Sequence, residues 1–538
     1  MDSWFGDRAL HGAAGRLPAA FDGFVVTTET GDRIESERAV RAAIRHAFGS
    51  DAGWRFQVLD GAGNEVDATP PPDLYVGTVG EAFEYARCLQ AASPGLVAEP
   101  SFDGPGADAP GRRGPAAPDG PQPDDFIWHL QRTRVIEAWR QAPDRGAAIR
   151  IGHPDTGYTR HEEIWDREQP RILPALGYDF LDGSDPLDPL EEGPGFEPGH
   201  GTSTASVLMS GCSDRGVWGA APAARLVPFR VSRGVIHLSL KRVAQAIRRA
   251  QAVRCQVVSM SLGGPFRSAA LHRAIRAAVD DGMILVAAAG NYWPWVVYPA
   301  AYDEVIAVAA TTSDDRIWRW SATGEAVDVA APGAGVWVAR PTRSAPDRGD
   351  GTSYAAALTA GVAALWLAKH GHENLCSRLG RANVARAFRR LAQETARPGG
   401  GAWRRDRHGA GILDANALLA AAVPGADGAP VAPAALLRKV ASPWCHYLEV
   451  DRRDVENGLD RIIDGAERLV PPEADPSGLG AELAAHLALD PLVREEVEAA
   501  SGHPPHRAFA LRGSAAAPRG SALLASGSAQ LRAALRRA

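Results

Sequence analysis

Cysteine is scarce in this 538-residue chain: there are five, Cys88, Cys212, Cys255, Cys376 and Cys445, widely spaced and with no C-x-x-C pair. An odd, scattered set argues against a disulfide framework or a cysteine zinc site and fits a reducing compartment, so the expected location is cytoplasmic. Positive charge is not in excess either. Lys+Arg 58 against Asp+Glu 64 gives a formal net charge of −6, which removes the basic footprint of a nucleic-acid binder. Long apolar runs are missing: the longest, Ala355 to Ala368, is too short for a bilayer, so no membrane partner is expected. The first residues, MDSWFGDRALHGAAGRLPAAF, lack the basic and then apolar pattern of an export signal. No HExxH zinc motif and no P-loop occurs, and nothing in the sequence sets an oligomeric state.

What is present is an ordinary soluble composition, 45% hydrophobic and 23% charged, on a chain long enough for roughly three domains. Residues 1–102 alternate strand-like and helix-like runs: strands at 24–29, 54–60, 73–79 and 95–102, helices at 37–48 and 81–92. That order, βαββαβ, is the ferredoxin-like α+β unit, although an unrelated small α+β domain would give the same pattern. Residues 103–125 are Pro, Gly and Asp with almost no apolar side chain and read as a linker. From 126 to 422 short apolar runs at 148–155, 225–231, 257–263, 284–290, 305–310 and 327–333 alternate with helical patterns at 239–253 and 268–281. Strands buried on both faces read as continuous apolar runs, so this is an α/β domain with a parallel sheet flanked by helices on both faces. Residues 423–538 are rich in Ala, Arg and Glu and read as a mainly helical, partly disordered extension.

Three stretches carry chemistry: HPDTG around Asp155, GHGTS around His200 and GTSYAAA around Ser353. A serine hydroxyl is a weak nucleophile until a neutral imidazole takes its proton and a carboxylate orients that imidazole. Ser353 opens an apolar helical run. A lone serine there would be read as an N-cap, but the free N–H groups of a helix start also stabilise developing negative charge. His200 opens a second such run, and the positive end of a helix disfavours an imidazolium and keeps a base neutral. Asp-Thr-Gly is also the mark of aspartic proteases, which need two carboxylates sharing a proton. No second D-T-G or D-S-G occurs, so that reading fails on count.

The order Asp, His, Ser and the residues around each resemble the subtilisin-like serine protease family, the subtilases. The resemblance implies a serine endopeptidase acting on an extended polypeptide through Asp155, His200 and Ser353, with no cofactor for the chemistry. It implies that Asn291, in AAAGN, donates its amide to the oxyanion; apart from the resemblance Asn291 reads as a turn residue. Ser259, Met260, Ser261, Leu262, Gly263 and Gly264 resemble one wall of the family's specificity pocket, and Ala287, Ala288, Ala289 and Gly290 the other. The first wall would pair with substrate backbone by strand addition. Neither wall carries a charge, which favours an apolar or small side chain before the scissile bond. Trp293 and Trp295 overhang the pocket or pack the domain. The run 128–139 resembles the family's opening helix and 409–422 its closing segment, while Ala357 stands where the family usually has proline.

The resemblance extends to the first 102 residues, because subtilase propeptides have a ferredoxin-like fold ending in a strand with a similar Glu-Pro, here Glu99-Pro100. It implies a self-inhibited precursor, with the N-terminal domain as intramolecular inhibitor and the linker as the place of processing. Structural calcium is common in the family. The acids Asp179, Asp182, Asp185, Asp188, Glu191, Glu192 and Glu197 offer oxygen ligands and equally read as a solvated loop. Two rival readings stand beside the protease precursor: a catalytically silent scaffold on the same fold, and an active enzyme whose N-terminal domain is a permanent regulator.

Overall fold

The computed structural model describes residues 20–103 and 125–423, apart from segments at 29–31, 61–62, 72–73, 75, 77–78, 94, 166–170, 182–187, 192–198, 212–215, 236–239, 265–267, 292–295 and 342. Most of the expected linker, the whole extension beyond 423, and Trp293 and Trp295 lie outside the described residues. The described chain forms two compact units.

The N-terminal unit runs β1 (Ala20–Thr27), α1 (Arg33–Phe48), β2 (Arg55–Val58), β3 (Glu65–Thr69), α2 (Val79–Ala92) and β4 (Val97–Asp103). Its four strands lie in the order β2-β3-β1-β4, with each neighbouring pair antiparallel. This is the ferredoxin-like arrangement, and the expected βαββαβ order holds. One expected strand is displaced. The sequence pattern put it at 73–79, but the strand is Glu65–Thr69 and Val79 already begins α2. Glu65 and Asp67 are poor strand formers in isolation, while Leu74, Tyr75 and Val76 are good ones. Pairing with both β1 and β2 overrides that preference, and places Val66 and Ala68 in a core with Phe24, Val26, Ile44, Trp54 and Leu89. Helix α1 starts at Asp32, whose carboxylate accepts from the Ile34 and Glu35 N–H groups, and ends at left-handed Gly49.

The second unit is built on a seven-stranded sheet: β5 (Arg150–Asp155), β6 (Tyr178–Asp179), β7 (Arg225–Arg230), β8 (Val257–Met260), β9 (Ile284–Ala288), β10 (Ile306–Thr311) and β11 (Val329–Pro332). The order is β11-β10-β9-β8-β5-β7-β6 and every pairing is parallel. Strands β8 to β11 are buried at every position, as continuous apolar runs require. The expected helices appear as α6 (Lys241–Ala252) and α7 (Ala269–Asp280), each with one apolar face. The opening run 128–139 is not one helix. It breaks into α3 (Trp128–Arg132) and α4 (Val135–Ala138), because the Thr133 hydroxyl bonds back to the His129 carbonyl and Arg134 takes a left-handed φ of 54°.

Two further helices matter for the site. Helix α5 (His200–Met209) and the 19-residue α8 (Thr352–His370) pack together, and α8 is buried from Thr352 to Leu367. An antiparallel hairpin that the sequence pattern did not reveal, β12 (Val336–Arg340) and β13 (Arg343–Gly349), carries the chain from the sheet to the start of α8. Among the described residues no helix is long and apolar enough to cross a membrane.

Candidate active site

The chain leaves β5 to wind outward on both sides, with β7 against one edge of β5 and β8 against the other. In open parallel sheets that switch point gathers ligands at the carboxyl ends of the strands. Asp155 is the last residue of β5. Ser261 and Leu262 follow β8 directly, and Asn291 lies just beyond β9.

Asp155 is 1% exposed, and its Oδ1 accepts from the His200 Nδ1–H at 2.8 Å and from the Thr156 N–H at 2.7 Å. Burial works to raise its pKa, but the His200 ring, the His153 ring and the Thr156 N–H outweigh it and hold the carboxyl below its ordinary range. Asp155 is therefore a carboxylate.

His200 is the first residue of α5, and the glycines on either side are required by contact. Gly199 has a left-handed φ of 77°, and a Cβ there would run into the Pro341 ring. A Cβ on Gly201 would run into the Gly157 carbonyl oxygen. The Gly201 N–H donates to Thr156 Oγ1 at 3.0 Å, and that hydroxyl donates to Glu191 Oε2 at 3.1 Å. Glu191 Oε1 accepts from the Gly199 N–H at 2.7 Å. One carboxylate thus ties the segment after Asp155 to the segment before His200. Burial raises the Glu191 pKa, against these two donors, and the Asp155 charge pushes the same way as burial.

Ser353 is 5% exposed in the first turn of α8, which the hairpin delivers. Its hydroxyl donates to the Ser261 carbonyl at 3.2 Å, and the Ser261 hydroxyl donates back to the Ser353 carbonyl at 2.9 Å. Asn291 is fixed through its oxygen: Oδ1 accepts from the Thr352 N–H at 2.9 Å and from the Thr352 hydroxyl at 2.8 Å. An N–H can only bond the amide oxygen, so the amide's orientation is determined and its Nδ2 points the other way. The point where a Cβ on Gly351 would sit is 3.2 Å from Asn291 Nδ2, 3.7 Å from the Ser353 nitrogen and 3.8 Å from Ser353 Cβ. Two donor nitrogens and the serine side chain therefore lie around one point.

The two expected pocket walls come together as neighbours in the sheet, Met260 of β8 being the register partner of Ala287 in β9. Ser259 and Ala288 lie in the same two strands, and Ala289 and Gly290 continue β9 towards Asn291. At the far end of the first wall the backbone is already paired. The Gly263 N–H donates to the Val235 carbonyl at 3.0 Å, and Gly264 exchanges both its bonds with Tyr298. The acidic stretch assembles no cation site among its described members. Asp179 holds Arg230 at 2.9 Å, Asp188 accepts from the Tyr158 hydroxyl at 2.7 Å, and Glu191 makes the clamp above. Asp182, Asp185, Glu192 and Glu197 lie outside the described residues, and nowhere among the described residues do three His, Cys, Asp or Glu gather to hold a metal.

Sequence reasoning missed Thr352, Thr156 and Glu191, whose parts are to orient the residues it did find. The signal for the two threonines was adjacency, Thr156 in HPDTG and Thr352 in GTSYAAA. Glu191 gave no sign of its partners.

The family model described as the subtilase family matches residues 146–411. Thermitase of Thermoactinomyces vulgaris is 34% identical over 244 residues, which are 45% of this chain and 81% of thermitase. Subtilisin Savinase of Lederbergia lenta is 31% identical over 239 residues, 44% of this chain and 82% of that protein. The solved structure of fervidolysin from Fervidobacterium pennivorans, described as a keratinolytic enzyme related to subtilisin, superposes with a TM-score of 0.57 at 22% identity. It covers 76% of this chain and 62% of fervidolysin, a likeness of fold that reaches beyond the 146–411 match. Matching thermitase at 34% identity over 81% of that protein's length, the chain belongs to the subtilase family and is a subtilisin-like serine endopeptidase.

Proposed function

We propose that peptide hydrolysis runs through Ser353, His200 and Asp155, with Asn291 and the Ser353 N–H as the oxyanion donors. The observation that carries the reading is the convergence of Asn291 Nδ2 and the Ser353 nitrogen beside the Ser353 side chain. Ser353 turns from the Ser261 carbonyl towards His200 as substrate arrives, a tightening common to unliganded sites. Its oxygen attacks the scissile carbonyl carbon while His200 Nε2 takes its proton. The carbonyl electrons move onto the oxygen, which the two donors hold. The C–N bond then breaks, His200 gives its proton to the leaving amine, and water repeats the sequence on the acyl-enzyme. Asp155 keeps its negative charge throughout and holds the His200 Nδ1–H.

The N-terminal unit acts as an intramolecular inhibitor in a precursor that cleaves itself between 103 and 125. Support comes from the ferredoxin-like strand order and the Pro/Gly-rich composition of that segment. Intact mass and N-terminal sequencing of wild type and Ser353→Ala test it: only the wild type should be processed. Equal processing in both would mean that another protease does it, and no processing in either would make the unit a permanent regulator. A fluorophosphonate probe should label wild type and leave Ser353→Ala unlabelled. Absence of label from the full chain and from one lacking residues 1–125 alike would favour the silent scaffold.

A further inference from the structure

Next to Asp155 lies a second imidazole that the mechanism above does not use. His153 is two residues earlier on β5 and fully buried. Its Nε2 is 3.0 Å from Thr204 Oγ1 and 3.7 Å from Asp155 Oδ2, the second distance being too long for a hydrogen bond. Thr204, also fully buried, sits one turn into α5 and donates to Asp155 Oδ2 at 3.2 Å. Asp155 Oδ1 is already taken by His200 and Thr156, so Thr204 is the described donor to the other oxygen. The chain His153, Thr204, Asp155, His200 is contiguous.

The direction of its hydrogen bonds follows from one orphaned atom. His153 Nδ1 is buried without a partner. A buried lone pair left unpaired is tolerated better than a buried N–H left unpaired, so the single ring proton belongs on Nε2, facing Thr204. A doubly protonated ring would bury an unpaired N–H. Burial also holds the His153 pKa below its ordinary range, with Asp155 pulling it up and His200 pushing it down. Among the described residues those two are the titratable groups that act on it, Asp155 from its own strand and His200 from α5, while its register partner on β7 is Pro228. With Nε2–H donating into Thr204 Oγ1, the threonine proton is left for an acceptor. The alternatives to Asp155 Oδ2 are the carbonyls of His200 at 3.1 Å and Gly201 at 3.2 Å. The charged acceptor makes the stronger bond.

We propose that His153 is a positioning residue which, as a neutral donor to Thr204, turns the threonine hydroxyl onto Asp155 Oδ2 and so fixes the plane in which the carboxylate meets His200. The inference rests on the reading of Asp155 as the acid that orients His200. A helical threonine left to itself returns its proton to the carbonyl four residues back. His153 opposes that return: by donating into a lone pair of the hydroxyl it polarises the O–H and favours the bond to the charged carboxylate over those to the His200 and Gly201 carbonyls.

The test uses the full-length protein, with kcat and KM for a peptide substrate measured across pH 5 to 9. His153→Val is expected to lower kcat by about tenfold with KM unchanged, since one buried hydrogen-bond relay is removed from the chemical step. An Asp155 carboxylate with one donor fewer is the stronger base and stabilises the His200 imidazolium, so the acid limb of kcat/KM should move to higher pH. His153→Gln, which keeps an N–H near the Nε2 position, should restore both. Thr204→Val should give the same loss, and His153→Val added to it should cost nothing further. Activity within twofold and an unmoved acid limb in a folded His153→Val would overturn the proposal, as would losses that add in the double variant. Should His153→Val not fold, Thr204→Val with an unmoved acid limb overturns it equally. Asp155→Ala run alongside separates the two readings: if it keeps activity the triad assignment falls, and if it loses activity while His153→Val does not, only the role of His153 falls.

Discussion

In the N-terminal unit a four-stranded antiparallel sheet gathers Phe24, Val26, Val66, Ala68 and Ala98 with α1 and α2 residues into one apolar layer. In the second unit β8 to β11 are buried at every residue, and α8 runs buried for most of its length. A sheet covered on both faces has no surface on which to place polar chemistry except at its strand ends. That is where Asp155, Ser261 and Asn291 are found. The N-terminal unit uses polar groups at caps and surface pairs, such as Asp32 on α1 and Arg41 with Asp51, and of the few it buries Thr28 and Ser36 bond to one another. Covering the second face leaves a sheet its strand ends as the place for polar groups, and the proposed reaction is confined there.

The contrast predicts that a change at the strand ends tells on the chemistry of the second unit and not on the fold of the first. Asn291→Ala should lower kcat by about 10²- to 10³-fold. In urea unfolding it should cost the second unit about 1–3 kcal/mol, from the two Thr352 bonds lost, and the first unit nothing. A kcat within tenfold of wild type would remove Asn291 from the chemistry and leave its convergence with Ser353 without function. In the other unit, Leu89→Ala removes a fully buried side chain from the single apolar layer. It should cost about 3 kcal/mol, read as faster amide exchange in β1 to β4 with β8 to β10 unaffected. Exchange rising in both sheets would show that the two units unfold as one.

A smaller effect concerns pH. His129 in α3 is fully buried, bonded to the Trp218 carbonyl at 3.1 Å, and burial pushes its pKa down to about 4 against the lift from that bond. Because the folded value lies below the unfolded one, the unfolded chain takes up the proton first as pH falls. Stability is therefore full above about pH 6.5 and is lost from there towards about pH 4, by about 2 kcal/mol at pH 5. Thermal unfolding of the second unit should show this slope, and His129→Gln should flatten it. A slope unchanged in the variant would assign the acid sensitivity elsewhere.

Much of this was legible in the sequence, for reasons the same contrast explains. Buried parallel strands such as 225–231 and 284–290 announce themselves because both faces must be apolar, and their observed bounds lie within a few residues of the expected ones. The strand Glu65–Thr69 did not, because pairing on both sides made strand out of residues that disfavour it. The hairpin β12–β13 was hidden likewise: RSAPDRG contains Pro, Asp and Gly, and only its partner strand holds it extended. Asp155, His200, Ser353 and Asn291 were legible because each sits in a motif. Thr352, Thr156 and Glu191 were not, since a hydrogen bond across 61 residues from Thr352 to Asn291, or across 35 from Thr156 to Glu191, leaves no local trace.

The hairpin has one more consequence. Before it reaches Ser353, β12 docks on α5: the Ser203 hydroxyl donates to the Ala339 carbonyl at 2.8 Å, and the Ala339 N–H donates to Ser206 Oγ at 3.0 Å. At its tip the Pro341 ring fills the space that only a glycine at 199 leaves open, beside His200. The stretch of chain that brings the proposed nucleophile has therefore already taken its bearings from the proposed base. It works as a gauge block between two parts that must be assembled to a fixed clearance. A shift of α5 carries the hairpin with it, and through the hairpin the first turn of α8, so an error in one part is copied to the other and the gap between them is kept.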